Sequence, residues 1–320
     1  MMCEHYVTLF DSLFLPQGIA LHLSMERHVT NYVLWILCVD DEAYTVLSKL
    51  QLPNTRLLSL KKLEINSLCC VKEERSKGEY CWTLTPFAPH FVFEADPSIT
   101  RVTYLDADLW FLKDTVPIFQ EFEASGKKVL ITDHAYAPEY DYSATSGKYC
   151  VQFMSFVKEG GEIVRKWWEE RCLEWCYARY EDGKFGDQKY LDDWPQRFEQ
   201  LVHILQKPEF TLAPWNATRF PYSDGIFWHF HSLRIENGFW GGCKVNLGMY
   251  QLPYTTVKNV YMPYIEDLKT VRAMLNSVGF IVRPQQKQSL VRKIKSIIVP
   301  LIKHFLYIFP PRSLKIEGKE

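Results

Sequence analysis

An unbroken apolar run at residues 32–39 lies between two segments of helical period, and this juxtaposition constrains the fold more than any other feature. A strand that is apolar at successive positions must be buried on both faces, which requires helices packed on either side of a sheet. The same alternation fills the first half of the chain. Residues 6–10, 56–60, Arg101–Leu105 and 128–132 read as further strands. Residues 15–27 and Asp41–Leu50 read as helices, and 82–94 as a third despite Pro86 and Pro89. Repeated β–α alternation predicts an α/β, Rossmann-like domain with a mostly parallel sheet flanked by helices.

From about residue 133 the pattern breaks. A polar, aromatic loop (133–149) leads to a strand at 149–156, then to a helix at 162–179 rich in Trp and charge. Trp167, Trp168 and Trp175 recur at helical spacing, which predicts core packing. Residues 208–248 are irregular and rich in aromatics, Gly and Pro, as suits the walls of a site. With 320 residues there is room for one large domain, and 37 basic residues against 38 acidic give no electrostatic case for nucleic acid as a principal partner. The nine cysteines, including the adjacent Cys69 and Cys70 and the helical pair Cys172 and Cys176, show neither disulfide nor zinc rhythm. They are expected to be reduced core residues of a cytoplasmic protein. The strand-like run starting near Met1 predicts no signal peptide, and no apolar stretch is long enough to span a bilayer.

The most informative segment is Val102-Thr-Tyr-Leu-Asp106-Ala107-Asp108. A buried strand ends and two aspartates, one residue apart, emerge at its carboxyl edge, where open α/β sheets bind ligands. Two carboxylates form a hard site suited to Mn²⁺ or Mg²⁺. Such an ion can bridge the phosphates of a nucleotide sugar and neutralise the departing diphosphate.

With Asp106-Ala107-Asp108 in place, the chain resembles the GT-A nucleotide-sugar glycosyltransferases, especially glycosyltransferase family eight and bacterial enzymes that build surface polysaccharide or lipopolysaccharide. Three further segments carry the likeness. Thr8-Leu9-Phe10-Asp11 resembles the first-strand loop that holds the base and ribose. Gly186-Asp187-Gln188 resembles the Asp-Gln element beside the sugar and acceptor. His229-Phe-His231-Ser232 resembles the late His-x-x-Gly motif, whose histidine is a third metal ligand; His229 aligns best, with His231 a competitor on the same side of an extended run. The resemblance implies that Asp187 holds sugar or acceptor hydroxyls, that Gln188 approaches the anomeric carbon, and that transfer retains configuration. Asp187 can equally be read as the N-cap of a helix at 188–194.

Three departures from the family pattern concern the donor. The Lys-Pro-Trp after the histidine is absent, leaving Arg234 as the nearest cation. Cys150-Val-Gln152 replaces Asn-x-Gly, and the arginine expected ahead of the acids is absent from residues 80–86, leaving Arg75 and Lys77 upstream as the candidates for phosphate. Asp133, His134, Glu139 and Asp141, on the loop after the fifth strand, are candidate acceptor contacts.

A catalytic domain at 1–283 is expected to be followed by a tail at 284–320. In the tail, Leu290, Ile294, Ile297, Ile298, Leu301, Phe305 and Phe309 form one helical stripe, with Arg292, Lys293, Lys295 and Lys303 elsewhere. That pattern predicts peripheral attachment to the cytoplasmic face of an anionic membrane. The expectation is a metal-dependent transferase acting from a nucleotide sugar, UDP-linked by preference, on a glycan or lipid-linked acceptor. A sugar-phosphate nucleotidylyltransferase would need a Gly-rich basic loop after the first strand, where residues 10–18 have neither feature. A non-catalytic glycan-binding protein of the same fold is the alternative from another class.

Overall fold

The computed structural model describes residues 3–237, 243–246 and 250–284, so the tail from residue 285 onward lies outside the described residues. The chain divides into a large unit, residues 1–231 with 252–282, and a small one, 232–251 with 283–320. The strands of the large unit are β1 (Glu4–Phe10), β2 (Tyr32–Cys38), β3 (Thr55–Ser59), β4 (Arg101–Leu105), β5 (Leu109–Phe111), β6 (Val129–Asp133), β7 (Tyr149–Val157), β8 (Val202–Ile204), β9 (Thr211–Leu212) and β10 (Phe227–His229). The small unit contains β11 (Arg234–Asn237) paired antiparallel with β12 (Cys243–Asn246).

Seven strands form the main sheet in the order β3-β2-β1-β4-β7-β6-β8. All neighbours are parallel except around β7, which runs against both β4 and β6. The expected mostly parallel α/β sheet is therefore present. Its central strands are buried on both faces, with every residue of β4 inside. A second sheet, β5-β10-β9, pairs β10 antiparallel with β5 and parallel with β9.

Differences from the sequence reading have local causes. The helix expected at 82–94 is two helices, Lys77–Leu84 and Phe87–Ala95. Pro86 has no N–H to give the Trp82 carbonyl, which accepts from Thr85 instead, 3.2 Å away, and the first helix tightens and stops. The helix after β7 is Lys158–Glu174, non-helical at Glu159 and Gly160, and it ends before Trp175, whose backbone is extended. Trp168 is fully buried and meets Trp194 edge-on at 5.6 Å, as core packing requires. Cys69 and Cys70 are exposed, correcting their reading as core residues, because the Asn66–Lys72 helix buries only Leu68. Among the described residues no helix is long and apolar enough to cross a membrane.

Candidate active site

The acids owe their position to a change of sheet. Asp106 N–H still donates to the Gln152 carbonyl (3.0 Å), extending the β4–β7 ladder by one bond. The chain then turns, with Leu109 N–H on the Asp106 carbonyl (3.2 Å), and enters β5. Ala107 packs inward, leaving Asp106 and Asp108 at the carboxyl edge. β5 is paired with β10 so that Leu109 lies opposite His229, and Phe230 N–H donates to the Asp108 carbonyl (2.9 Å).

Alternation along β10 aims the histidine. Trp228 and Phe230 are fully buried against the C-terminal helical segment; Phe230 stacks on Tyr264 at 3.6 Å, and Trp228 meets Tyr261 at 5.7 Å. His229 faces the acids instead, its Nε2 3.1 Å from Asp108 Oδ1 and 3.7 Å from Asp106 Oδ2. One ligand atom from each of the three residues lies within 4.8 Å of the others. Two carboxylates and an imidazole at that spacing could together hold a hard divalent metal ion.

The electrostatics agree with a cation site. Burial pushes the Asp106 carboxyl up to about 6; neighbouring Asp108 adds to this, while His229 and the Tyr104 hydroxyl (3.0 Å) oppose it. Burial alone would lower the His229 pKa, but the Asp108 and Asp106 carboxylates hold it well above the usual imidazole value. The pocket therefore draws positive charge to the point where these three side chains meet.

Asp187 follows a tight hairpin at Glu181–Lys184, in which Asp182 (φ 49°) and Gly183 (φ 75°) take the left-handed turn. Gly186 (φ 52°) then lies flat on Trp82, where a Cβ would sit 3.3 Å from the ring. Asp187 is buried with one carboxylate oxygen unpaired. Burial, followed by the charge of Asp106, pushes its carboxyl up to about 8. It does not cap the following turn: the residue before Lys189–Asp193 is Gln188, with no side-chain cap. Gln188 donates its amide N–H to the Ser146 carbonyl (2.6 Å) and so ties this element to the loop after β6. Trp168 Nε1 donates to the Asp187 carbonyl (2.8 Å) from the core side. Trp168→Phe removes the pyrrole half of a fully buried ring together with the donor to that carbonyl, so unfolding free energy should fall by about 2–5 kcal/mol. Denaturant melts of the two proteins check this; equal midpoints would remove Trp168 as a support of Asp187.

The remaining candidates fall in several places. Thr8, Leu9 and Phe10 are buried at the end of β1, and Asp11 accepts the Leu13 N–H (3.0 Å). Asp40, after β2, holds the same loop through the Ser12 N–H (3.0 Å) and hydroxyl (2.8 Å). His231 is exposed and outside the three-residue cluster, its ring centroid 5.9 Å from that of His229, with Trp215 in edge contact with both. Arg234 opens β11 in the small unit. Arg75 is taken up inside the protein by the Thr83 hydroxyl and the Leu173 carbonyl, which corrects its reading as a phosphate contact. On the loop after β6, Asp133 and Asp141 accept nearby backbone N–H groups, Glu139 accepts the Thr218 hydroxyl, and His134 is buried and stacked on Tyr136. Sequence reasoning missed two residues, Tyr104 and Gln152. Gln152 was visible only as a departure from the Asn-x-Gly pattern.

The parallel strand ends, the acid pair leaving β4 and the late histidine returned beside them define a GT-A fold. The galactosyltransferase LgtC, solved with donor and acceptor sugar analogues, superposes with a TM-score of 0.52 at 12% identity, over 83% of this chain and 95% of that one. The chain belongs to the same protein family as YfnF of Bacillus subtilis (strain 168), an uncharacterised protein 33% identical over 253 residues, or 73% of this chain and 83% of YfnF. YfnD of the same organism, also uncharacterised, is 28% identical over 83% of this chain and 88% of its own length. No protein-family model matches the chain.

Proposed function

We propose that the protein is a metal-dependent glycosyltransferase that moves a sugar from a nucleotide-diphosphate sugar, a UDP-sugar by preference, to a glycan or lipid-linked acceptor with retention. The observation that carries this reading is the meeting of Asp106, Asp108 and His229 at the carboxyl edge of the sheet, with the buried Asp187 close enough to feel the charge of Asp106. Mn²⁺ or Mg²⁺ held by the three side chains would supply neutralisation of the departing diphosphate. The Thr8–Asp11 segment, at the carboxyl end of β1, is suited to flank the nucleoside. Asp187, its carboxyl pushed up by burial, can accept a hydrogen bond from sugar hydroxyls and, in its protonated form, donate one. The family resemblance gives Gln188 the reacting face of the sugar; it assigns no residue here to the diphosphate-binding lysine, for which Arg234 is the nearest cation in sequence. LgtC, with its donor and acceptor sugar analogues, supports the substrate class.

Nucleotide release from a panel of UDP-, GDP-, CMP- and dTDP-sugars, with Mn²⁺ and with EDTA, tests the proposal. Slow hydrolysis of one donor, abolished by EDTA, is the expected result. Binding of a nucleotide sugar without cleavage, with every acceptor offered, would point to the non-catalytic glycan-binding alternative. The basic amphipathic pattern of residues 284–320 supports attachment to the cytoplasmic face of a membrane. Flotation with anionic but not neutral vesicles is the expected behaviour.

A further inference from the structure

We propose that Gln152 is a positioning residue that fixes the His229 tautomer, so that Nε2 is the atom presented to the metal. The inference rests on the metal site proposed above but concerns a different residue. Gln152 is fully buried on β7, the one strand of the main sheet that runs against its neighbours. That reversal places it opposite the end of β4, where its two ends do different work. Its backbone carbonyl accepts the Asp106 N–H (3.0 Å), and its side-chain Oε1 lies 2.8 Å from His229 Nδ1. A single residue thus holds the strand end that bears the acids and the ring that comes to meet them.

The chemistry follows from what a carbonyl oxygen can do. It accepts and cannot donate, so the hydrogen bond requires a proton on Nδ1. A neutral imidazole protonated there has its lone pair on Nε2, the atom that faces Asp108. The amide nitrogen of Gln152 is buried without a partner, so no other hydrogen bond dictates which way the amide points. An apolar residue would avoid that desolvation cost; what the position gains from Gln is the oxygen. Cys150 lies two residues earlier on the same face of β7 and also neighbours His229. A thiol is a weak acceptor and does not replace the amide oxygen. Trp215 meets the imidazole edge-on at 5.3 Å and limits its tilt, but offers no acceptor. In the resembled family this strand carries Asn-x-Gly, so the glutamine occupies the Gly position and its role is not one the resemblance supplies.

The test compares Mn²⁺ binding to the full-length wild type, Gln152→Met and Gln152→Glu, read from the electron paramagnetic resonance of free Mn²⁺. Gln152→Met, similar in size but with no oxygen, should weaken Mn²⁺ binding about 10–100-fold. Gln152→Glu, which keeps an acceptor, should bind at least as tightly as the wild type. Nitrogen-15 spectra of the Mg²⁺-loaded wild type should show His229 with its proton on Nδ1. Equal affinity for Gln152→Met and wild type, or a proton on Nε2 in the loaded protein, would overturn the inference while leaving the metal site in place. A wild type that binds neither Mn²⁺ nor Mg²⁺ would overturn both. Should Gln152→Met fail to fold, the wild-type spectra decide.

Discussion

Asp108→Asn should reduce metal-dependent donor cleavage by about a thousandfold or more and abolish tight Mn²⁺ binding. The substitution preserves size and removes the carboxylate nearest His229 Nε2. A neutral amide is a poor ligand for a hard divalent ion, and two side chains remain where three converged. The fold should tolerate the change. It is the Asp108 backbone carbonyl, not its side chain, that receives the Phe230 N–H and keeps β10 in register with β5. Loss of the charge relieves repulsion with Asp106, which offsets the lost attraction to His229, whose ring can then stay neutral. Thermal unfolding in EDTA should therefore stay within a few degrees of wild type, separating a lost site from a lost fold. Retention of about a tenth or more of wild-type cleavage would remove Asp108 from the metal site.

Asp187→Asn should produce the opposite pair of effects, greater stability and less activity. The buried Asp187 carboxyl is pushed up to about 8, against about 3.9 in an unfolded chain. Between those values the folded protein binds more protons than the unfolded one, so stability falls as pH rises. The contribution is fully present below the unfolded value and lost as pH passes through the folded value. Asparagine removes that titration. In EDTA, where Asp106 keeps its full effect, the variant should match wild type near pH 4 and exceed it at pH 8. The difference should reach the order of a few kcal/mol, or about 5 °C or more in Tm. Donor transfer should fall about a hundredfold, since an amide, although it donates and accepts hydrogen bonds, can neither ionise nor pass a proton at the sugar. Melts at the two pH values decide the first half; a constant difference would mean that Asp187 is already ionised in the folded protein.

The sequence made legible those features that follow from local chemistry. β4 at Arg101–Leu105 and the Asp41–Leu50 helix match their expected bounds because a strand buried on both faces and a capped amphipathic helix each leave a local pattern. The acid pair was legible because it ends such a strand. The reversal of β7 was not, since apolar runs carry no record of direction. With that reversal hidden, Gln152 looked like a departure from a motif, whereas the structure puts it against His229. Arg75 shows the converse limit. A lone arginine upstream of the acids looks like a phosphate ligand until its bonds to Thr83 and Leu173 are seen.

The pairing of Leu109 with His229 also bears on the order in which the molecule comes into being. During synthesis the strands through β7 can assemble while the segment that includes β10 is still unmade. Such a nascent domain holds Asp106 and Asp108 side by side with no imidazole between them. Because the contact joins distant parts of the chain, its closure entropy defers it to late in folding. An interaction formed late is absent from the transition state and acts mainly on the rate of escape from the native state. An ion bound by these three residues would then act as a latch, lengthening the lifetime of the finished protein without hastening its formation.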